Sequence, residues 1–155
     1  MSVPRYGFRP QLFRIVVILS LVCCAGLAQV RVSVASGSAV AGGAASLNIS
    51  LTSGTGGAPA AVEWILNYSA NDLSGLTLQA GPSATAARKS LSCGTNSGSI
   101  HCVISGVDAA TVANGVIATA KFTVSSKAAA SSALQITGAK AATPAAASLA
   151  AVGSG

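Results

Sequence analysis

The sequence predicts an all-β domain: a two-sheet antiparallel β-sandwich, jelly-roll-like, with about eight or nine short strands. Short runs of alternating apolar and polar residues recur along the chain, and this period of two is the signature of half-buried strands. Clusters of Gly, Ser, Asn and Pro separate the runs and are typical of turns. Charged residues make up only 8% of the 155 residues, against about 25% in ordinary soluble domains. This composition favours an extracellular β domain over an enzyme.

The N-terminus has the three parts of a secretory signal peptide. The opening stretch MSVPRYGFRPQLFR carries three arginines and no acid, and the apolar run IVVILSLVCCAGLA follows it and ends in small residues. We therefore expect residues 1–28 to be a signal peptide and residues 29–155 to form the domain. The apolar run has 14 residues, fewer than the roughly 20 that cross a bilayer. A retained membrane anchor and a lipid attached at Cys23 or Cys24 are the alternatives.

Cleavage would change both the charge and the compartment of the chain. Three of the arginines behind the formal net charge of +6 lie in the signal peptide, and the other basic residues lack the clustered stripe that binds nucleic acid. We expect a secreted, periplasmic or cell-surface protein with no nucleic-acid partner and no membrane contact after cleavage. Of the four cysteines, Cys93 and Cys102 remain, and an oxidising compartment favours their pairing.

Each alternating run assigns one set of residues to the interior of the sandwich. The inward sets are Val30, Val32 and Val34; Leu47, Ile49 and Leu51; Val62, Trp64, Leu66 and Tyr68; Leu76 and Leu78; Ile100, Cys102 and Ile104; and Leu134 and Ile136. The run GVIATAKFTVSS leaves two phases open, which are Val116 with Ala118, Ala120, Phe122 and Val124, or Ile117 with Thr119. The stretch DAATVANG could hold one helical turn, whereas the alanine-rich SKAAASSAL lacks an apolar face and is predicted to be a loop.

The stretch CGTNSGSIHC predicts a hairpin stapled by a disulfide. The eight residues between the cysteines place Cys93 opposite Cys102 and leave Ser97 and Gly98 as a two-residue turn. Cysteines that face each other across a hairpin lie within disulfide reach. Alternation turns His101 away from Cys102, so we expect an exposed strand histidine and no metal site, since zinc needs three or four ligands.

The acidic residues are too few and too scattered to predict catalysis. After the signal peptide they are Glu63, Asp72 and Asp108, with His101 as the one histidine, whereas an active site needs titratable groups that converge. We expect no catalytic residue and no cofactor. Asn71 and the two aspartates could contribute oxygen ligands to calcium, but local hydrogen bonds within turns are the favoured interpretation.

Three segments occur in an order that resembles the bacterial cohesin domain: AVEWILNYSANDLSGLTLQAG from residue 61, NSGSIHCVISG from residue 96 and VANGVIATAKFTVSS from residue 112. That family belongs to a superfamily that includes the carbohydrate-binding modules of cellulases. The family's aromatic-rich strand and the turn after it are matched by Trp64, Leu66, Tyr68 and Leu73. In the family a last strand pairs back to the first, and SLAAVGSG begins such a strand and stops, so we expect either a truncated last strand or a sequence that is a fragment.

The resemblance implies a non-catalytic module that binds a dockerin-like protein in extracellular assembly or polysaccharide degradation. It also implies a flat contact face on the third strand. Glu63 falls at the family's acidic position there, and Ile65 and Asn67 would share the face. The sequence departs from the family at Ala61, where an amide residue is usual, and at Ser69-Ala70, which replace an Asp-Pro pair.

A carbohydrate-binding module and a structural spacer are the alternative functions. Sugar-binding sheets of the superfamily present exposed aromatic rings, but Trp64, Tyr68 and Phe122 are all assigned inward, so no ring platform is expected. Polysaccharide binding through polar groups stays open. Ile65 and Val103 are apolar residues on an outer face, and exposed apolar patches often mark protein interfaces. A protein partner is therefore the favoured hypothesis.

Overall fold

The computed structural model describes residues 29–155, so the predicted signal peptide and its cleavage lie outside the described residues. The strands are β1 (Val30–Val34), β2 (Ala44–Thr52), β3 (Ala61–Asn67), β4 (Leu73–Ala80), β5 (Ser90–Asn96), β6 (Ser99–Ser105), β7 (Gly115–Val124), β8 (Gln135–Ala142), β9 (Ser148–Leu149) and β10 (Ala151–Ser154), with one helix, α1 (Pro82–Ala86). They form two five-stranded sheets. Sheet I has the order β10-β1-β2-β7-β4, and sheet II has the order β5-β6-β3-β8-β9. The predicted all-β sandwich is confirmed.

The core lies between the two sheets and is built from the alternating residues that the sequence assigns inward. On β3, Val62, Trp64 and Leu66 are each at most 1% exposed, while the residues between them are half-buried on the outer face. The same alternation buries Val30 and Val32 on β1. Since truncating a buried Leu or Ile to Ala costs about 2–5 kcal/mol, these positions specify which face of each strand points inward.

A β-bulge on β7 settles the two phases that the sequence leaves open. Ile49 of β2 pairs with Ala118, but Ser50 pairs with Val116, so Ile117 is an extra residue on β7. A bulge of this kind shifts the alternation by one residue. Ile117, Ala118, Ala120 and Phe122 are consequently all buried. Each of the two phases is therefore correct on one side of the bulge.

Helix α1 is not predicted by the sequence analysis. Pro82 stands at its start, where a missing N–H costs nothing, and the Thr85 hydroxyl donates to the Gly81 carbonyl at 3.0 Å. Ala84 is fully buried. Five residues are too few to show a helical period. The Asp108 stretch, considered as a helical turn, instead folds as an irregular loop in which the Ala110 N–H donates to the Asp108 carboxylate at 3.2 Å.

The last strand closes the sandwich. β10 pairs parallel with β1, with Val30 opposite Ala151, as the resemblance implies for the last and first strands. β10 also approaches β8 closely, because a Cβ built at Gly153 would overlap the Ile136 carbonyl group. The alanine-rich loop before β8 is confirmed as a loop. No helix among residues 29–155 is long and apolar enough to cross a membrane.

Candidate functional site

The three contact residues predicted from the sequence lie together at the centre of sheet II. Glu63, Ile65 and Asn67 occupy alternate positions of β3, and all three are half-buried on the outer face. β3 is the middle strand of its sheet, between β6 and β8. We call the surface that surrounds these residues the β3 face. Its members are Glu63, Ile65 and Asn67 of β3, Ser99, His101 and Val103 of β6, and Gln135, Thr137 and Lys140 of β8.

Glu63 contacts one basic side chain on each neighbouring strand. Its Oε1 accepts a hydrogen bond from Lys140 Nζ at 3.1 Å and lies 3.0 Å from His101 Nε2. The hydrogen bond from Lys140 is the largest effect that lowers the pKa of Glu63, and His101 lowers it further. Exposed ion pairs stabilise a fold by only about 0–1 kcal/mol each. Their main consequence here is to hold a charged carboxylate in a fixed place on the β3 face.

Two aliphatic side chains lie among these polar groups. Ile65 is opposite His101, and Val103 is opposite Glu63, so the two aliphatic residues are diagonal neighbours. Both are half-buried, less exposed than the sequence predicts for an apolar patch. Ile65 lies beside Gly138, where an added Cβ would stand 3.3 Å from Ile65 Cδ1. The absence of a side chain at Gly138 leaves this flank of Ile65 open.

Asn67 is tied to β8 by its amide. Its Nδ2 donates to Thr137 Oγ1 at 2.8 Å and more weakly to the Gln135 carbonyl at 3.5 Å. The amide group therefore has a fixed orientation, with a carbonyl oxygen that can accept a further hydrogen bond. Together the face offers a carboxylate, an amide and an apolar centre on a rigid strand.

The outer face of sheet I has a different character. Its centre carries hydroxyl, amide and ammonium groups, from Ser46, Asn48, Thr77, Thr119, Lys121 and Thr123. The aliphatic residues Val116 and Val152 lie at one end of this face. Of the two outer faces formed by residues 29–155, only that of sheet II therefore has aliphatic side chains at its centre.

The aromatic residues lie inward, as the sequence predicts. Trp64 is 0% exposed and Phe122 is 8% exposed. Tyr68 is half-buried and packs against the core cluster. Within residues 29–155, no aromatic ring forms an exposed platform of the kind on which sugars stack.

The cysteine hairpin has the predicted register. Cys93 pairs with Cys102, Asn96 pairs with Ser99, and the two sulfurs are bonded. Cys102 is fully buried while His101 is exposed, so the two side chains point to opposite sides of β6. His101 faces Glu63 instead of a metal ligand set. Within the described part of the chain, no three His, Cys, Asp or Glu side chains are close enough together to hold a metal ion.

The other two carboxylates lie away from the β3 face. Asp72 accepts a hydrogen bond from the Ala129 N–H at 3.2 Å, which anchors the loop before β8. Asp108 accepts a hydrogen bond from Lys89 Nζ at 2.7 Å, and this bond is the largest effect that lowers the pKa of Asp108. Each of the three acids thus has a different set of partners. They do not converge as a pair of catalytic carboxylates would.

Lys89 is a structural residue that the sequence analysis does not identify. Its side chain is fully buried, and its Nζ also donates to the Asp108 carbonyl at 2.9 Å. A buried ammonium group needs such partners because its desolvation is costly. The two residues are 19 positions apart, and no pattern in the sequence signals their pairing.

Comparison with known proteins finds similarity in structure alone. No protein-family model matches the chain, and no curated protein matches its sequence. The sixth cohesin of scaffoldin B from Acetivibrio cellulolyticus, solved in complex with a variant Cel5 dockerin, is similar at a TM-score of 0.67. The sequence identity is 15%, over 79% of this chain and 92% of that chain.

Two further solved structures give the same result. The non-cellulosomal cohesin from the archaeon Archaeoglobus fulgidus has a TM-score of 0.66 and 18% identity, over 81% of this chain and 88% of that chain. The Coh-OlpA cohesin from Clostridium thermocellum, solved in complex with Doc918, has a TM-score of 0.67 and 15% identity, over 81% of this chain and 95% of that chain. Residues 29–155 therefore have the fold of a cohesin domain.

Proposed function

We propose that this chain is a secreted, non-catalytic module that binds a dockerin-like protein through the β3 face. The observation that carries this function is the arrangement on β3, where Glu63, Ile65 and Asn67 combine charge, apolar area and hydrogen bonding on one rigid strand. Several proteins with a similar structure are cohesins solved in complex with dockerins. Because one fold can serve several functions, the face supplies support that the fold alone does not.

The composition of the β3 face suits a protein partner. Protein interfaces combine an apolar centre with a polar rim, and a few central residues supply most of the affinity. Ile65 and Val103 supply the centre here, and Glu63, His101 and Lys140 surround it. A partner that covers Ile65 would also exclude water from the Glu63 carboxylate and strengthen its hydrogen bonds. The setting we propose is extracellular assembly or polysaccharide degradation.

A carbohydrate-binding module is the second candidate function, and a structural spacer is the third. Glycan binding by ring stacking has little support because Trp64 and Phe122 are buried in the core. Glycan binding through polar groups would use the hydroxyl-rich centre of sheet I. A spacer would use neither face for a specific partner. The two binding functions thus place their contacts on different faces, and the spacer places none on either.

Binding titrations with two matched substitutions would separate these functions. The purified protein would be titrated against a panel of purified dockerins and tested for retention on cellulose and chitin. Ile65→Thr removes apolar contact from the β3 face while keeping a β-branched side chain, and Val116→Thr makes a comparable change on sheet I. We expect Ile65→Thr to weaken dockerin binding at least about tenfold, which is about 1.4 kcal/mol, and Val116→Thr to leave it unchanged. Retention on cellulose or chitin without dockerin binding would overturn the proposed function.

A further inference from the structure

Among residues 29–155, four strands lie at sheet edges, and three of them carry features that protect an edge from pairing. β9 has two residues, and β10 has four and packs against β8. The pairing of β4 with β7 is interrupted between Ser74 and Thr77, where Gly75 has a φ of 61°. Short length, cover and irregularity are the usual ways in which natural sheets prevent edge-to-edge association. β5, the remaining edge, has seven residues and pairs with β6 without a register shift.

β5 also lacks the protective side chains. Ser90–Asn96 contains no charged residue and no proline, and every residue except the half-buried Leu91 is exposed. Natural edge strands often carry lysine or proline to prevent further pairing. Nothing in the composition of β5 opposes the addition of another strand.

The hairpin register shows which backbone groups of β5 are available. In a hairpin with a two-residue turn, the pair next to the turn is hydrogen-bonded, and the pairs then alternate. Asn96–Ser99 is that first pair, so Cys93–Cys102 is a pair without hydrogen bonds. The Cα separation of 4.2 Å at Cys93–Cys102 agrees with the close spacing of such pairs. The N–H and C=O groups of Leu91, Cys93 and Thr95 therefore point away from β6.

We propose that β5 is a self-association strand that pairs antiparallel with β5 of a second copy of this chain. With Cys93 on the two-fold axis, Leu91 of one copy is opposite Thr95 of the other. Because these residues point their N–H and C=O groups towards the second copy, each facing pair can exchange two backbone hydrogen bonds. A two-fold interface places identical residues near one another, so a charged strand would repel itself. The uncharged composition of β5 fits a second copy better than a partner selected by charge.

This pairing would join the two copies of sheet II into one continuous sheet. Both β3 faces would then lie on the same side of that sheet. If each face binds a partner, as proposed above, the dimer would bind two, and linked partners would gain affinity through effective concentration. The self-association itself does not depend on the identity of the partner.

Two substitutions at one position test the role of the outward backbone groups. Thr95→Pro removes an outward N–H without removing a hydrogen bond to β6, since edge strands tolerate proline on their free side. Thr95→Ala keeps the N–H and is the matched control. Sedimentation velocity would be measured on the purified protein from micromolar to millimolar concentration, with circular dichroism as the check of folding. We expect the wild type and Thr95→Ala to reach twice the monomer mass, and Thr95→Pro to remain monomeric.

Hydrogen exchange provides a second readout at the residue level. As the wild-type protein is concentrated, the amides of Leu91, Cys93 and Thr95 should exchange more slowly, while those of β4 should not change. Ser92→Lys, which adds a charge but keeps every backbone group of β5, should also weaken the dimer. A wild type that stays monomeric at millimolar concentration would overturn the inference. So would a dimer that survives Thr95→Pro with the β5 amides unprotected.

Discussion

Cys93 and Cys102 face each other across the β5–β6 hairpin, with their Cα atoms 4.2 Å apart and their sulfurs bonded. Cys102 belongs to the buried core, whereas Cys93 is exposed on the edge strand. The bond therefore fastens an exposed edge to the interior of the sandwich. It also fixes the register of β5 on β6, in which Ser92 is opposite Val103.

Reduction of this disulfide should lower the stability of the domain. Closing a loop of this length stabilises by about 2–3 kcal/mol in the chain-entropy model. The free energy of unfolding would be measured by urea denaturation with and without reductant, and intact mass should rise by about two daltons on reduction, one hydrogen per sulfur. The doubly substituted Cys93→Ala/Cys102→Ala protein is the control and should not respond to reductant. An unchanged mass in the wild type would contradict the disulfide.

Alanine at Gly153 should destabilise the contact between β10 and β8. A Cβ there would overlap the Ile136 carbonyl, so backbone must move, and overpacking of this kind costs about 1–3 kcal/mol. Gly94→Ala is the matched control, because a Cβ at Gly94 meets no atom within 4 Å. Chemical denaturation should show a lower free energy of unfolding for Gly153→Ala and little change in that free energy for Gly94→Ala. Equal effects would mean that β10 does not pack against β8 as described.

Removal of Asp108 should destabilise the domain more than removal of Lys89. Asp108→Asn leaves the buried Lys89 ammonium group without its charged partner, whereas Lys89→Met leaves the carboxylate of Asp108, which is 36% exposed, in contact with water. The midpoints of urea-induced unfolding would be compared for both single variants and for the double variant. The opposite order would show that Lys89 is stabilised by its carbonyl contact alone.

Stability should fall in acid. Hydrogen bonds from Lys140, Ser69 and Lys89 are the largest effects lowering the pKa of Glu63, Asp72 and Asp108, respectively, below the ordinary values of 4.5 for Glu63 and 3.8 for the two aspartates. A carboxyl group whose pKa is lower in the folded state binds fewer protons there, so its stabilisation is present above its unfolded pKa. The loss should begin below about pH 5 and continue as the pH falls through the folded pKa values.

Urea midpoints measured from neutral to acidic pH would test this dependence. Asp108→Asn should show a shallower loss in acid, because it lacks one of the contributing carboxyl groups. A stability that rises as the pH falls in this range would contradict the assigned hydrogen bonds.

Local patterns predict much of the fold because strand alternation and turn spacing are properties of neighbouring residues. The inward set on β3 and the register of Cys93 with Cys102 both follow from them. The bulge at Ile117 could not be predicted, because it depends on pairing with Ile49 on a distant strand. The burial of Lys89 depends in the same way on a loop that follows β6.

The candidate site likewise combines features set by neighbouring residues with features set by distant ones. Alternation alone places Glu63, Ile65 and Asn67 on one outer face. The contacts that fix their side chains come from Lys140 and Thr137 on β8, more than 60 residues along the chain. The residues on the face were therefore predictable, but their hydrogen-bond partners were not.

The most direct test of the central claim is to map a bound dockerin onto the surface by amide chemical shifts. A dockerin that binds in the titrations would be added to the isotopically labelled protein. We predict that the largest shift changes occur on β3, β6 and β8, around Glu63, Ile65 and His101. Largest changes on the sheet I face, around Asn48 and Thr119, would contradict the assignment of the β3 face as the contact surface.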